Sequence, residues 1–176
     1  SFFRRSIIDV KSTINDVILV LEGHKFPVNK QILANQSSYF NSIFFSNFKE
    51  SKQEEIEMKD ADPEDFGELL KMVYGFSTES TTVENAIRYL EMADKFDLQI
   101  VKDRMENFLL ATDLISIHRK FLIAEDHRLE ILKSEILHQY KNSMETLVEL
   151  RDSPEFDELS DSMKNLLYEN ARFLLE

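Results

Sequence analysis

Four histidines, thirty-three carboxylates and no cysteine are the groups with which this chain could move protons, hold a metal or attack a carbonyl. The histidines are His24, His118, His127 and His138, and no two have the HxxxH or HExxH spacing that sets two ligands on one helix face. His118 and His127 could meet in space; otherwise they are surface or helix-end histidines. Glycine occurs only at 23, 67 and 75, which rules out a glycine-rich phosphate loop, and there is no GxSxG elbow. Without cysteine there are no disulfides, thiolate metal sites or cysteine nucleophiles. Carboxylates gather in Gln53-Glu54-Glu55 and in Asp60-Asp62-Glu64-Asp65, a pattern that fits helix caps and solvated faces better than an acid–base pair. These residues point away from an enzyme and imply no cofactor.

The elements that must position any site follow from composition and period. The chain has 176 residues, is 43% hydrophobic and 31% charged, and holds three glycines and three prolines. That is a globular chain with few turn-formers, which favours helices over an all-β sandwich. Its formal net charge of -12 would repel phosphate backbones, so nucleic acid is not an expected partner. The longest unbroken apolar run is Val17 to Leu21, too short to span a bilayer, and no membrane partner is expected. Lack of cysteine is compatible with a cytoplasmic or nuclear location.

DVILVLE, residues 16 to 22, reads as a strand buried on both faces. Gly23-His24 reads as the turn of a hairpin, with Gly first, and KFPV as the return, Pro27 placing it at an edge. Asn29 and Ser37 each cap a short helix, and EIEMK at 55 to 59 alternates as a strand. Asp62, followed by Pro63, starts a helix that Gly75 closes. Thr81 with Glu84 reads as the capping box of a long helix ending near Phe96, and another follows through Leu109. Beyond it the pattern is helical throughout, over about 113 to 124, 127 to 140, 143 to 150 and 161 to 175, with a short turn at Ser153-Pro154-Glu155. The class is α+β: a small N-terminal sheet with helices, then an all-helical extension.

One stretch does not fit these stripes. FFSNFKES, 44 to 51, places Phe44, Phe45 and Phe48 where a helical period gives way to polar residues. Phe44 completes the stripe and belongs to the core. The ring of Phe48 either folds back into that core or anchors a partner.

Residues 16 to 110 resemble a BTB/POZ domain. The resemblance rests on DVILVLEGHKFPVNKQILANQSSYFNSIF, then FKES, then IEMKDADPEDFGELLKMVYG, then LEMADKFDL. Asn29 stands where the family commonly has His. The closest likeness is to the BTB region of MATH–BTB adaptors of cullin-3 ubiquitin ligases, in which a substrate-binding domain precedes the BTB domain. The resemblance implies a BTB/POZ domain over 16–111, an N-terminal segment 1–15 able to take part in dimerisation, and a 3-box or partial BACK extension over 112–176. Phe48-Lys49-Glu50 fits the family's hydrophobic-x-Glu motif, so Phe48 and Glu50 are implied to bind the N-terminal domain of cullin-3, with Tyr74 and Phe96 near the same surface. Homodimerisation is implied through Ile32, with Ile7 and Ile8 available in the first segment. The implied function is that of a non-enzymatic adaptor that brings a substrate, bound by a domain outside this chain, to the ligase. The alternative is an oligomerisation or scaffold module with the same fold and no cullin contact; Phe48-x-Glu50 and the helices after 112 separate the two.

Overall fold

Val17, Leu19, Val20 and Leu21 are at most 5% exposed, so the first strand is apolar on both faces because both are covered. In the computed structural model, which describes residues 15–45, 54–77 and 81–173, this strand is β1 (Val17–Leu21). It is the centre of a three-stranded sheet, flanked by β2 (His24–Val28) antiparallel and β3 (Glu55–Met58) parallel. Leu19 faces Phe26 on one side and Ile56 on the other, which stacks buried residues across all three strands.

The hairpin turn is one residue earlier than its sequence suggests. Leu21 pairs with His24, and the turn residues are Glu22 and Gly23, with φ of 49° and 82°. Two positive φ values make a type I′ turn, whose twist matches that of the strands; Gly therefore stands second, not first. Pro27 lies on β2, at the edge of the sheet, where its missing N–H interrupts no ladder.

Between β2 and β3 run α1 (Lys30–Gln36) and α2 (Ser38–Phe45). Asn29 caps α1 by accepting from the Ile32 N–H at 2.9 Å. Next come α3 (Pro63–Val73), α4 (Val83–Lys95) and α5 (Gln99–Ala111). Asp62 caps α3 as its sequence suggests, accepting from Glu64 and Asp65. Gly75, at φ 80°, lets Phe76 N–H reach back to Lys71 O and ends the helix. The cap of α4 is Thr82, not Thr81: Thr82 accepts from Asn85 N–H at 3.2 Å. A column of rings fills the centre of this first unit, Phe26 against Phe66, Phe66 against Phe96, Phe96 against Phe40 and Phe40 against Phe44.

The chain packs as two compact units that divide between Met105 and Glu106, inside α5. The second unit holds α6 (Ile117–Asp126), α7 (Glu130–Asn142), α8 (Met144–Arg151), the single turn α9 (Glu155–Glu158) and α10 (Asp161–Phe173). Its core is built from Phe121, Leu132, Ile136, Tyr140, Leu150 and Leu167.

Candidate functional site

An open groove of about 650 Å³ lies between α2, β3 and the C-terminal turn of α4. Helix α2 contributes Ser38, Tyr39, Ser42 and Ile43; β3 contributes Ile56, Glu57 and Met58; the turn contributes Lys95 and Asp97. The lining mixes aliphatic side chains and the Tyr39 ring with serine hydroxyls and three charged groups, Glu57, Lys95 and Asp97.

Hydrogen bonds fix the geometry of this groove. The Ser37 hydroxyl, buried, donates to Phe96 O at 2.6 Å and accepts from Phe40 N–H at 3.0 Å, which caps α2 and ties its start to the end of α4. Beside it, the Asp97 carboxylate accepts from the Ser38 hydroxyl at 2.5 Å and the Ser38 N–H at 3.3 Å. On the opposite side, Lys95 Nζ donates to Lys59 O at 2.9 Å and Asp60 O at 2.8 Å, and lies 5.5 Å from the centre of the Phe96 ring. The Tyr39 hydroxyl titrates above its ordinary value, chiefly because burial opposes the phenolate and secondarily because of the Asp60 charge.

The residues singled out from sequence divide into four groups: outside the described residues, buried, half-buried and exposed. Phe48, Glu50, Ile7 and Ile8 lie outside the described residues. Phe44 is in the core as its helical position implies, while Phe45 is 54% exposed. Phe96 is fully buried, in contact with Tyr39, Phe40 and Phe66. Tyr74 is the C-cap of α3, half-buried, and its hydroxyl accepts from Asn29 N–H at 2.8 Å. Its phenol is pushed up by burial, against the Asn29 bond that lowers it. Tyr74 is not among the residues lining the groove. Ile32, on α1, is half-buried.

Sequence reasoning read Ser37 only as a helix cap, without its bond to Phe96 O, and missed the place of Lys95 and Asp97 in the groove. The signal was present in Asp97, an aspartate directly after a helix end where glycine is the usual residue.

The histidines form no site. His118 and His127 lie at opposite ends of α6, nine residues or about 13 Å apart, so they do not meet. His118 Nδ1 instead lies 2.9 Å from the Tyr140 hydroxyl. Among the described residues no group of His, Cys, Asp or Glu is arranged to hold a metal ion, and no helix is long and apolar enough to cross a membrane.

Comparison with known proteins agrees with this architecture. Residues 10–113 match the BTB/POZ domain family. The chain is 33% identical over 162 residues to BTB and MATH domain-containing protein 38 of Caenorhabditis elegans, covering 92% of this chain and 41% of that protein. It is 32% identical over 166 residues to BTB and MATH domain-containing protein 36 of the same organism, covering 94% of this chain and 51% of the relative. Human Kelch-like protein 7 is 33% identical over 99 residues, covering 56% of this chain and 17% of that protein. The chain thus spans about half the length of these nematode relatives. With the hairpin, the paired short helices, the parallel third strand and the following helices all in place, it belongs to the BTB/POZ domain family.

Proposed function

We propose that this chain is a substrate-recruiting adaptor module of a cullin-3 ubiquitin ligase, docking the N-terminal domain of cullin-3 on the groove between α2 and β3. The observation that supports this reading most is where the hydrophobic-x-Glu segment falls in the chain. Helix α2 ends at Phe45 and β3 starts at Glu55, so Phe48-Lys49-Glu50 belongs to the connection between the two elements that form the groove walls. The exposed ring of Phe45 stands at the start of that connection. An anchor there would meet a partner already seated against Tyr39, Ile43 and Met58. The helices after residue 112 supply a further cullin contact of their own, and α1 with the N-terminal segment supplies a homodimer face. The substrate is held by a domain outside this chain, as the MATH domain in the names of its relatives suggests. The module makes and breaks no bond; it raises the effective concentration of substrate at the ligase.

Calorimetric titration with the cullin-3 N-terminal domain tests this. Phe48→Ala and Glu50→Ala are each expected to weaken binding by at least about 1 kcal/mol with thermal stability nearly unchanged. A folded wild-type chain that gives no heat of binding would leave an oligomerisation module. A Phe48→Ala chain that loses about 3–5 kcal/mol of folding stability would place the ring in the core instead.

A further inference from the structure

Four non-glycine residues among those described hold a left-handed backbone: Glu22, Asp60, Asp97 and Arg128. Such a conformation disfavours any residue with a Cβ, and it persists only where the surroundings impose it. Two of the four, Asp60 and Asp97, flank the groove, and Lys95 binds or adjoins both.

Asp97, at φ 50°, follows the C-cap Phe96. Leu98 N–H reaches back to Ala93 O at 2.9 Å, which makes this a Schellman ending with aspartate where glycine is the unstrained choice. What glycine lacks is the carboxylate. That carboxylate accepts both the hydroxyl and the N–H of Ser38, the first residue of α2. On the other side, the turn from β3 to α3 passes through Asp60 at φ 58°. Two of its carbonyls, Lys59 O and Asp60 O, are held by Lys95 Nζ, and the Asp60 carboxylate lies 3.6 Å from the same ammonium.

We infer that Lys95 and Asp97 are positioning residues for the groove: from a single helix end, Asp97 holds the start of α2 and Lys95 holds the end of β3, fixing the separation of the two walls before a partner arrives. This inference rests on the reading of the groove as the cullin-docking surface. Its advantage to binding is preorganisation, since the walls need not be ordered at the moment of association. It accounts for a left-handed aspartate at a place where glycine would be easier to accommodate.

The test uses Asp97→Gly, Asp97→Ala and Asp97→Asn in the whole chain, with affinity for the cullin-3 N-terminal domain and Tm both measured. Stability should follow the Cβ: Asp97→Gly melts higher than Asp97→Ala, because only glycine is unstrained at this φ. Affinity should follow the acceptor: Gly and Ala variants bind about tenfold more weakly, having lost the carboxylate that accepts from Ser38. Asp97→Asn, which tolerates the left-handed backbone and keeps an acceptor oxygen, should restore most of it. Lys95→Met, which keeps the stem over Phe96 and removes the ammonium, should weaken binding similarly. Affinity that tracks Tm across the series, or a Gly variant binding like wild type, would overturn the inference. If the wild-type chain does not bind cullin-3, the docking reading fails by itself. The positioning role is then read without a partner, by hydrogen exchange of the Ser38 to Asn41 amides: faster exchange in Asp97→Gly than in wild type supports it, and equal exchange removes it.

Discussion

Tyr140 has no exposed surface, and its hydroxyl meets His118 Nδ1 while the two rings stack 6.0 Å apart. Burial lowers the His118 pKa and outweighs the carboxylates of Glu155 and Glu149, which act to raise it. The folded chain therefore takes up this proton less readily than the unfolded chain, whose imidazole titrates near the ordinary value of about 6.5. The stability linked to neutral His118 is complete above that value and declines as pH falls from it toward the lowered folded value. Between about pH 7 and pH 5, Tm of the wild type is expected to fall more steeply than that of His118→Gln, in which nothing titrates at this position. Parallel declines would assign the acid sensitivity to carboxylates elsewhere. At the same scale Phe96 shows how tertiary packing sets a ring's orientation. Its position in the Ala-Asp-Lys-aromatic segment was legible in the sequence, but which way the ring points depends on Phe40, Phe66 and Tyr39, none of which is a sequence neighbour.

At the scale of the element, most helix boundaries can be read because their signals are local. Asn29, Ser37 and Asp62 cap the helices that begin just after them through side-chain bonds spanning two or three residues. Helix α7 is different. Its N-cap position is Leu129, which has no side chain able to accept. The missing acceptor is Glu106 of α5, whose buried carboxylate takes the Leu132 N–H at 2.9 Å across 26 residues. Glu106→Ala is expected to destabilise the second unit by about 1–3 kcal/mol in urea unfolding, the cost of a buried donor left without its charged partner. Glu106→Gln, which keeps an oxygen acceptor, should cost less. Equal losses from the two substitutions would mean that packing, and not this bond, holds the start of α7. The preceding turn carries Arg128 at φ 56°, a left-handed ending that no sequence signal marks, since glycine is its usual sign.

For the whole molecule the charge of -12 governs association. Two copies of so acidic a chain repel one another, and any homodimer through α1 must be held by apolar contact, half-buried Ile32 among it. Salt screens that repulsion, so the proposed dimer should tighten as ionic strength rises. Light scattering is expected to give about twice the 20.7 kDa of one chain, with the dimer fraction growing in high salt. A single-chain mass at every salt and concentration would remove self-association from the proposed function. What the sequence determined by itself is whatever depends on near neighbours: the α+β class, the buried first strand, the order of hairpin, helices and third strand, and the helical second half. Period and capping act over a few residues, so they survive in one dimension. What only the tertiary structure decided is the groove and its fastening. Ser37 to Phe96 and Ser38 to Asp97 are joined across 59 residues, and Lys95 to Asp60 across 35. Such bonds exist because packing of the aromatic column brings distant elements together, and no local pattern encodes which serine will meet which helix end.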